Sequence, residues 1–263
     1  MKNFTRPLTL ALLATFFGLV TALSADTNLL KSTPVGSWQL RQVITTDDGG
    51  KQTLQEMRTS VVGEETRGKT DYLWIEIAID SFKMKKGQKG KQTGEHTVMK
   101  ILMDKSVLKS NKPEDVFNNL QGLGTEIIMQ TGDNDPMKIE AGSMMSGMMQ
   151  SMGPEIDYKF KDLGSETVET PKGKFKCKVI EGEGTVEMKI VFKTFRVNGK
   201  TKQWSSDDVP FNMVKMESVS EMNGKETKTE AVLLDFGKSG AKSEIHGEPQ
   251  SVKMPNLGNL FGN

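Results

Sequence analysis

The stretch PKGKFKCKVIEGEGTVEMKIVF, from Pro171 to Phe192, decides the fold class. In its first half Phe175, Cys177 and Val179 alternate with Lys174, Lys176 and Lys178. In its second half Val186, Met188, Ile190 and Phe192 alternate with Glu187 and Lys189. Successive side chains of a strand point to opposite faces, so this alternation predicts two strands, each apolar on one side and wet on the other. EGEG, from Glu181 to Gly184, separates them with residues that tolerate positive φ, which predicts a hairpin turn.

The same grammar runs outward in both directions. Trp38, Leu40 and Ile44 alternate with polar residues, TDDGGK is a hairpin-type turn, and Gln52 to Val62 reads as the return strand. In the segment Asp71 to Phe82, Leu73, Ile75, Ile77 and Ile79 share one face, while Trp74, Glu76, Ala78 and Asp80 share the other. The basic, glycine-bearing loop from Lys83 to His96 reads either as a solvated hairpin tip or as a patch for phosphate or anionic lipid. Val98 to Met103 is apolar at most positions, as a more buried strand would be. Further on, Ile156, Tyr158 and Phe160 alternate, Asn198-Gly199 and Asn223-Gly224 are hairpin signals, and Pro210 resets a strand from Trp204 to Met216.

Two segments depart from period two. Lys112 to Leu123 carries Val116, Phe117, Leu120 and Leu123 at helical spacing, with Asn111 as cap and a glycine at its end. The second runs from Gly142 to Met152 and places Met144, Met148 and Met152 on one stripe, with Met145 and Met149 beside it. Expected, therefore, is a mainly β domain of about ten antiparallel strands, curved around an apolar interior, with these two short helices covering it.

The N-terminus reads as a secretory signal. Lys2 and Arg6 precede an apolar run from Leu8 to Leu23, and Ala22-Leu23-Ser24 is a small-x-small cleavage site, so processing is expected near Ser24 or Ala25. The run is shorter than the ~20 residues of a membrane span, and no cysteine follows it to carry a lipid. The expected division is signal peptide 1–24, N-terminal extension 25–34, a single β domain 35–248 and a flexible tail 249–263. The mature protein is expected in the periplasm or outside the cell, not as an integral membrane protein.

Little in the chain points to chemistry. There are 35 Lys+Arg against 34 Asp+Glu, so no overall field favours nucleic acid. The two histidines, His96 and His246, are far apart in the chain, and with one cysteine no common zinc site can be written, so no metal or cofactor is expected. Cys177 lies on an apolar strand face and reads as a small core residue. GKSGAKS lacks the first glycine of a phosphate loop, GDNDP has Pro136 where a calcium loop needs glycine, and Ser205 and Ser206 lack a nucleophile elbow. The protein is expected not to be an enzyme. The 17 methionines are unusual. The cluster Met144, Met145, Met148, Met149 and Met152 admits three readings: an adaptable cover for an apolar ligand, a methionine-rich core, or soft thioether ligands for Cu(I).

Two motifs carry a resemblance. Glu166, Thr167, Thr170, Gly173, Phe175 and Cys177 form ETxxTPxGxFxC; Trp204, Ser206, Val209, Pro210, Val214, Lys215 and Glu217 form WxSxxVPxxxVKxE. With the signal peptide and long strands, these resemble a class of exported bacterial proteins similar to the lipoprotein-localisation carriers LolA and LolB. That resemblance implies an incomplete β-barrel, or β-clam, whose concave face is apolar and closed by helices. It implies a non-enzymatic protein that holds a hydrophobic or lipidic ligand. No residue is carried over from the carriers; read from the apolar strand faces and the methionine cluster themselves, the expected ligand surface comprises Leu73, Ile75, Ile77, Ile79, Phe175, Val186, Met188 and Ile190, with the five clustered methionines. The alternative is a structural or interaction domain with a filled core.

Overall fold

In the computed structural model, the described residues are 33–85, 87–106, 126–139, 155–190 and 193–251. They form one sheet of thirteen strands. These are β1 (Trp38–Thr46), β2 (Gln52–Arg67), β3 (Thr70–Lys85), β4 (Gln88–Gln92), β5 (Thr97–Asp104), β6 (Glu126–Thr131) and β7 (Met137–Ile139). Then come β8 (Glu155–Thr170), β9 (Gly173–Ile190), β10 (Lys193–Ser205), β11 (Met213–Met222), β12 (Lys225–Gly237) and β13 (Gln250–Ser251). The order is β13-β7-β6-β5-β3-β2-β1-β12-β11-β10-β9-β8, with β4 on β3. Only β13 on β7 is parallel among these pairings. The sheet ends at β13 and β8, so it is open. The mainly β, antiparallel expectation holds. The expected helices at 112–123 and 142–152, the signal segment and the end of the tail lie outside the described residues.

The turn expected at EGEG is absent, and this is a correction. Residues 173–190 are one strand of 18 residues. Gly182 and Gly184 are extended and pair with Phe160 and Tyr158 of β8. A Cβ on Gly182 would lie 2.8 Å from a Phe160 ring carbon, and one on Gly184 2.0 Å from the Asp157 carbonyl oxygen. These glycines admit aromatic rings and a close backbone, the other use of glycine inside a strand. Because the strand is continuous, Phe175, Cys177 and Val179 face one side and Val186 the other. Asn198-Gly199 is not a turn either. It lies within β10, where Gly199 pairs with Gly184 and Asn198 accepts a hydrogen bond from Thr185 Oγ1 at 2.9 Å.

The end of the sheet from β8 to β12 is coiled. Three flat spacings of ~4.8 Å would put β9 about 14 Å from β12. Yet the rings of Phe175 and Phe236 are 6.1 Å apart and Lys172 pairs with Asp235. Cys177, Val179, Trp204, Val209, Val214 and Leu233 fill the coil, with Val168, Phe175 and Phe236 against them. Val209 belongs to a connection, residues 206–212, buried except at Asp207 and Asp208, where a continuing strand was expected around Pro210. Its Phe211 and Asn212 have φ of 60° and 55°. The Ser206 N–H to Asn212 carbonyl bond of 2.8 Å closes it.

After β12 the chain crosses back over the sheet as a strap. Glu76, only 2% exposed, accepts from Ser243 Oγ at 2.6 Å and from the Glu244 N–H at 2.8 Å. His96 lies between Asp80 and Glu244, 3.1 Å from each, and Gln130 exchanges hydrogen bonds with the backbone of His246. Trp74, Glu76, Ala78 and Asp80 thus mark a strap face, and Leu73, Ile75, Ile77 and Ile79 an isoleucine face. Residues 250–251, expected in the tail, pair with β7.

Two tests follow from this packing. Gly184→Val should lower stability by about 1–3 kcal/mol through overpacking against Tyr158; an unchanged urea midpoint would mean that the glycine has no close neighbour. Glu76→Ala should speed amide exchange at residues 243–246 and cost about 1–3 kcal/mol, because two strap donors lose their acceptor. Unchanged exchange at Glu244 would contradict the pinning.

Candidate functional site

Directly paired residues of neighbouring strands share a face, so the register extends the isoleucine face outward from β3. On β5, Met103, Ile101 and Met99 oppose Leu73, Ile75 and Ile77; on β6, Ile127 and Met129 follow. On β2, Val61, Thr59 and Met57 oppose Ile75, Ile77 and Ile79. On β1, Gln39 opposes Thr59 and Arg41 opposes Met57. The apolar surface therefore runs into a polar row on β1.

That row reverses the expectation for the strand. Trp38, Leu40 and Ile44 were the apolar set, but they are only half-buried. Trp38 lies against Gly237 and beneath the Arg58 guanidinium, 4.4 Å from its ring. The residues between are the buried ones: Gln39 is 1% exposed and Arg41 5%. Alternation alone could not have shown it. Period two tells which residues share a face, and here both faces are covered.

The Arg41 guanidinium has weak company. Nη1 donates to Met213 Sδ at 2.8 Å; Nη2 reaches Thr59 Oγ1 at 3.3 Å and Met57 Sδ at 3.6 Å. Met213 arrives there because a bulge after Trp204 sets it opposite Ser205. Thioethers are weak acceptors, and no carboxylate pairs with Arg41 among the described residues. Its Nε, Gln39 Oε1 and the hydroxyl of Ser37, two residues before Gln39, have no hydrogen-bond partner among the described residues. Burial pulls the Arg41 pKa down to about 10, so the group still carries its charge at neutral pH. Leaving a buried charge uncompensated costs on the order of several kcal/mol. Buried charges are ordinarily paired, so such a cation is a place where an anion would be held.

The other nominated residues separate. Leu73, Ile75 and Ile77 are buried together on β3 with Ile79 beside them. Val186 is buried on β9, six strands away along β3-β2-β1-β12-β11-β10-β9, and Phe175 lies on the opposite face of β9. Met188 and Ile190 lie on β9 opposite Phe195 and Lys193. Met144, Met145, Met148, Met149 and Met152 are outside the described residues. The residues of the two motifs meet as architecture. Trp204 Nε1 donates to Glu166 at 2.7 Å and Lys202 adds a bond of 3.2 Å, which together hold the Glu166 carboxyl below its usual range.

No group of three or more His, Cys, Asp or Glu among the described residues is placed to hold a metal. Among the described residues there is no helix long and apolar enough to cross a membrane. Cys177 is 1% exposed, and burial, aided by the negative charge of Glu166, pushes its thiol up to about 11. A thiol reagent at pH 8 should leave native Cys177 unmodified and label it once the protein is unfolded; rapid native labelling would contradict its placement.

No family model and no curated protein matches the chain. Solved structures are similar to it at low identity, two of them as follows. One is a candidate lipoprotein from Parabacteroides distasonis, at 13% identity and a TM-score of 0.38, covering 81% of this chain and 100% of that one. The other is a candidate exported protein with a YmcC-like fold from Bacteroides fragilis, at 15% identity and a TM-score of 0.36, covering 81% of this chain and 99% of that one.

Proposed function

We propose that this is an exported, non-enzymatic protein that binds a hydrophobic or lipidic ligand against the isoleucine face of its sheet. The observation that carries the reading is the breadth of that face. From β2 through β3 and β5 to β6, cross-strand neighbours are Met57, Val61, Ile75, Ile77, Ile79, Met99, Ile101, Met103, Ile127 and Met129. A continuous apolar surface gains about 25 cal/mol for each Å² taken out of water, whatever covers it. The basic start, apolar run and small-residue site before Asp26 support export. Non-enzymatic action is supported by the chemistry of the face, which on β2 to β6 presents mostly thioethers and aliphatic groups beside Thr59 and, on β1, Gln39 and Arg41.

A second reading has its own observation. Ile77 and Met103 are each 1% exposed, as they would be in a core filled by the chain itself. Copper binding through Met144–Met152 is the third reading, on sequence alone.

Native mass spectrometry and lipid extraction of protein purified from its own periplasm separate them. Binding predicts retained adducts of lipid mass and displacement of a fluorescent fatty-acid probe. A clean apo mass with no probe uptake would overturn the binding reading in favour of the filled core.

A further inference from the structure

Arg41 is a buried cation on the rim of an apolar surface, with a fork of donors and no anionic partner among the described residues. Three facts converge on it. Its fork is directed at two thioethers and a hydroxyl, which leave the charge unbalanced. Its own Nε is buried without a hydrogen-bond partner. The apolar surface starts at its neighbours: Met57, which opposes Arg41, also opposes Ile79. From β1 to β6 there are four strand spacings of ~4.8 Å, about 19 Å, the reach of a long acyl chain.

We infer that the ligand is an anionic amphiphile, whose single carboxylate or phosphate is held by the Arg41 guanidinium while its apolar chain lies across Ile79, Ile77 and the strands beyond. This rests on the reading under Proposed function and names its ligand class. An oxyanion can accept from Nε and one Nη together, the planar two-bond geometry in which arginine surpasses lysine. The Arg41–Thr59 bond holds the fork in place in the meantime.

The test compares oleate, oleyl phosphate and oleyl alcohol with acetate and inorganic phosphate on the full mature protein, reading displacement of a neutral fluorescent probe. Wild type should bind both charged amphiphiles at least about tenfold more tightly than the alcohol, and the small anions should not displace the probe. Arg41→Met should abolish that preference while leaving oleyl alcohol binding within about twofold, with a melting temperature no lower than wild type, because the uncompensated charge is gone. Arg41→Lys, which keeps the charge and loses the fork, should retain only part of the preference. Equal binding of oleate and oleyl alcohol by wild type would overturn the arginine site and leave the hydrophobic-ligand reading standing. Binding of no chain-bearing probe would overturn that reading, and the site with it. Displacement by acetate or phosphate alone would overturn the amphiphile in favour of a small-anion site. The wild-type comparison decides even if Arg41→Met fails to fold.

Discussion

Strict alternation of side chains along very long strands is the constraint on which the rest depends. β2, β3 and β8 each run 16 residues and β9 runs 18. At ~3.3 Å per residue, β9 spans about 60 Å, more than one core can cover. Its apolar set must therefore change faces partway, and Gly182 and Gly184 stand where it does. One half of the strand then serves the coil packed around Trp204, and the other carries Val186 on the face continuous with the isoleucines. A sheet of this kind has two faces to satisfy along its whole length. The strap pinned on Glu76 covers part of one.

The isoleucine face owes its character to the same alternation, because register passes it from strand to strand without a break from β6 to β2. At β1 it meets Gln39 and Arg41. A sheet built only for stability would place an aliphatic residue there, since replacing a buried ion with a well-packed apolar group is often neutral or stabilising. A guanidinium among Met57, Met213 and Thr59 costs stability in the free protein and gains when an anion arrives. In the binding proposed above, apolar area would supply affinity without direction, and one buried charge would fix which end of the ligand goes where.

Much of the fold could be read from the residues. The alternation of Leu73, Ile75, Ile77 and Ile79 located the central strand and its apolar face. Two turn signals misled for a physical reason. Glycine in EGEG and in Asn198-Gly199 marks either a positive φ or a close approach, and only the partner decides: Tyr158 and Phe160 for EGEG, and the pairing with Gly184 for Gly199. Arg41 was illegible because alternation does not say which face water reaches. The buried segment around Val209, with Phe211 at positive φ, could not be foreseen, since a bulky residue takes that conformation only under tertiary constraint.

The most direct measurement is on the arginine itself. In protein carrying ¹⁵N-labelled arginine, the Nε–H resonance of Arg41, assigned by its loss in Arg41→Met, should be observable at neutral pH because burial slows its exchange with water. On adding oleate it should shift downfield as a charge-assisted hydrogen bond forms, and on adding oleyl alcohol it should stay in place. A resonance that ignores both, while either ligand binds, would contradict a buried arginine as the anchor of the site.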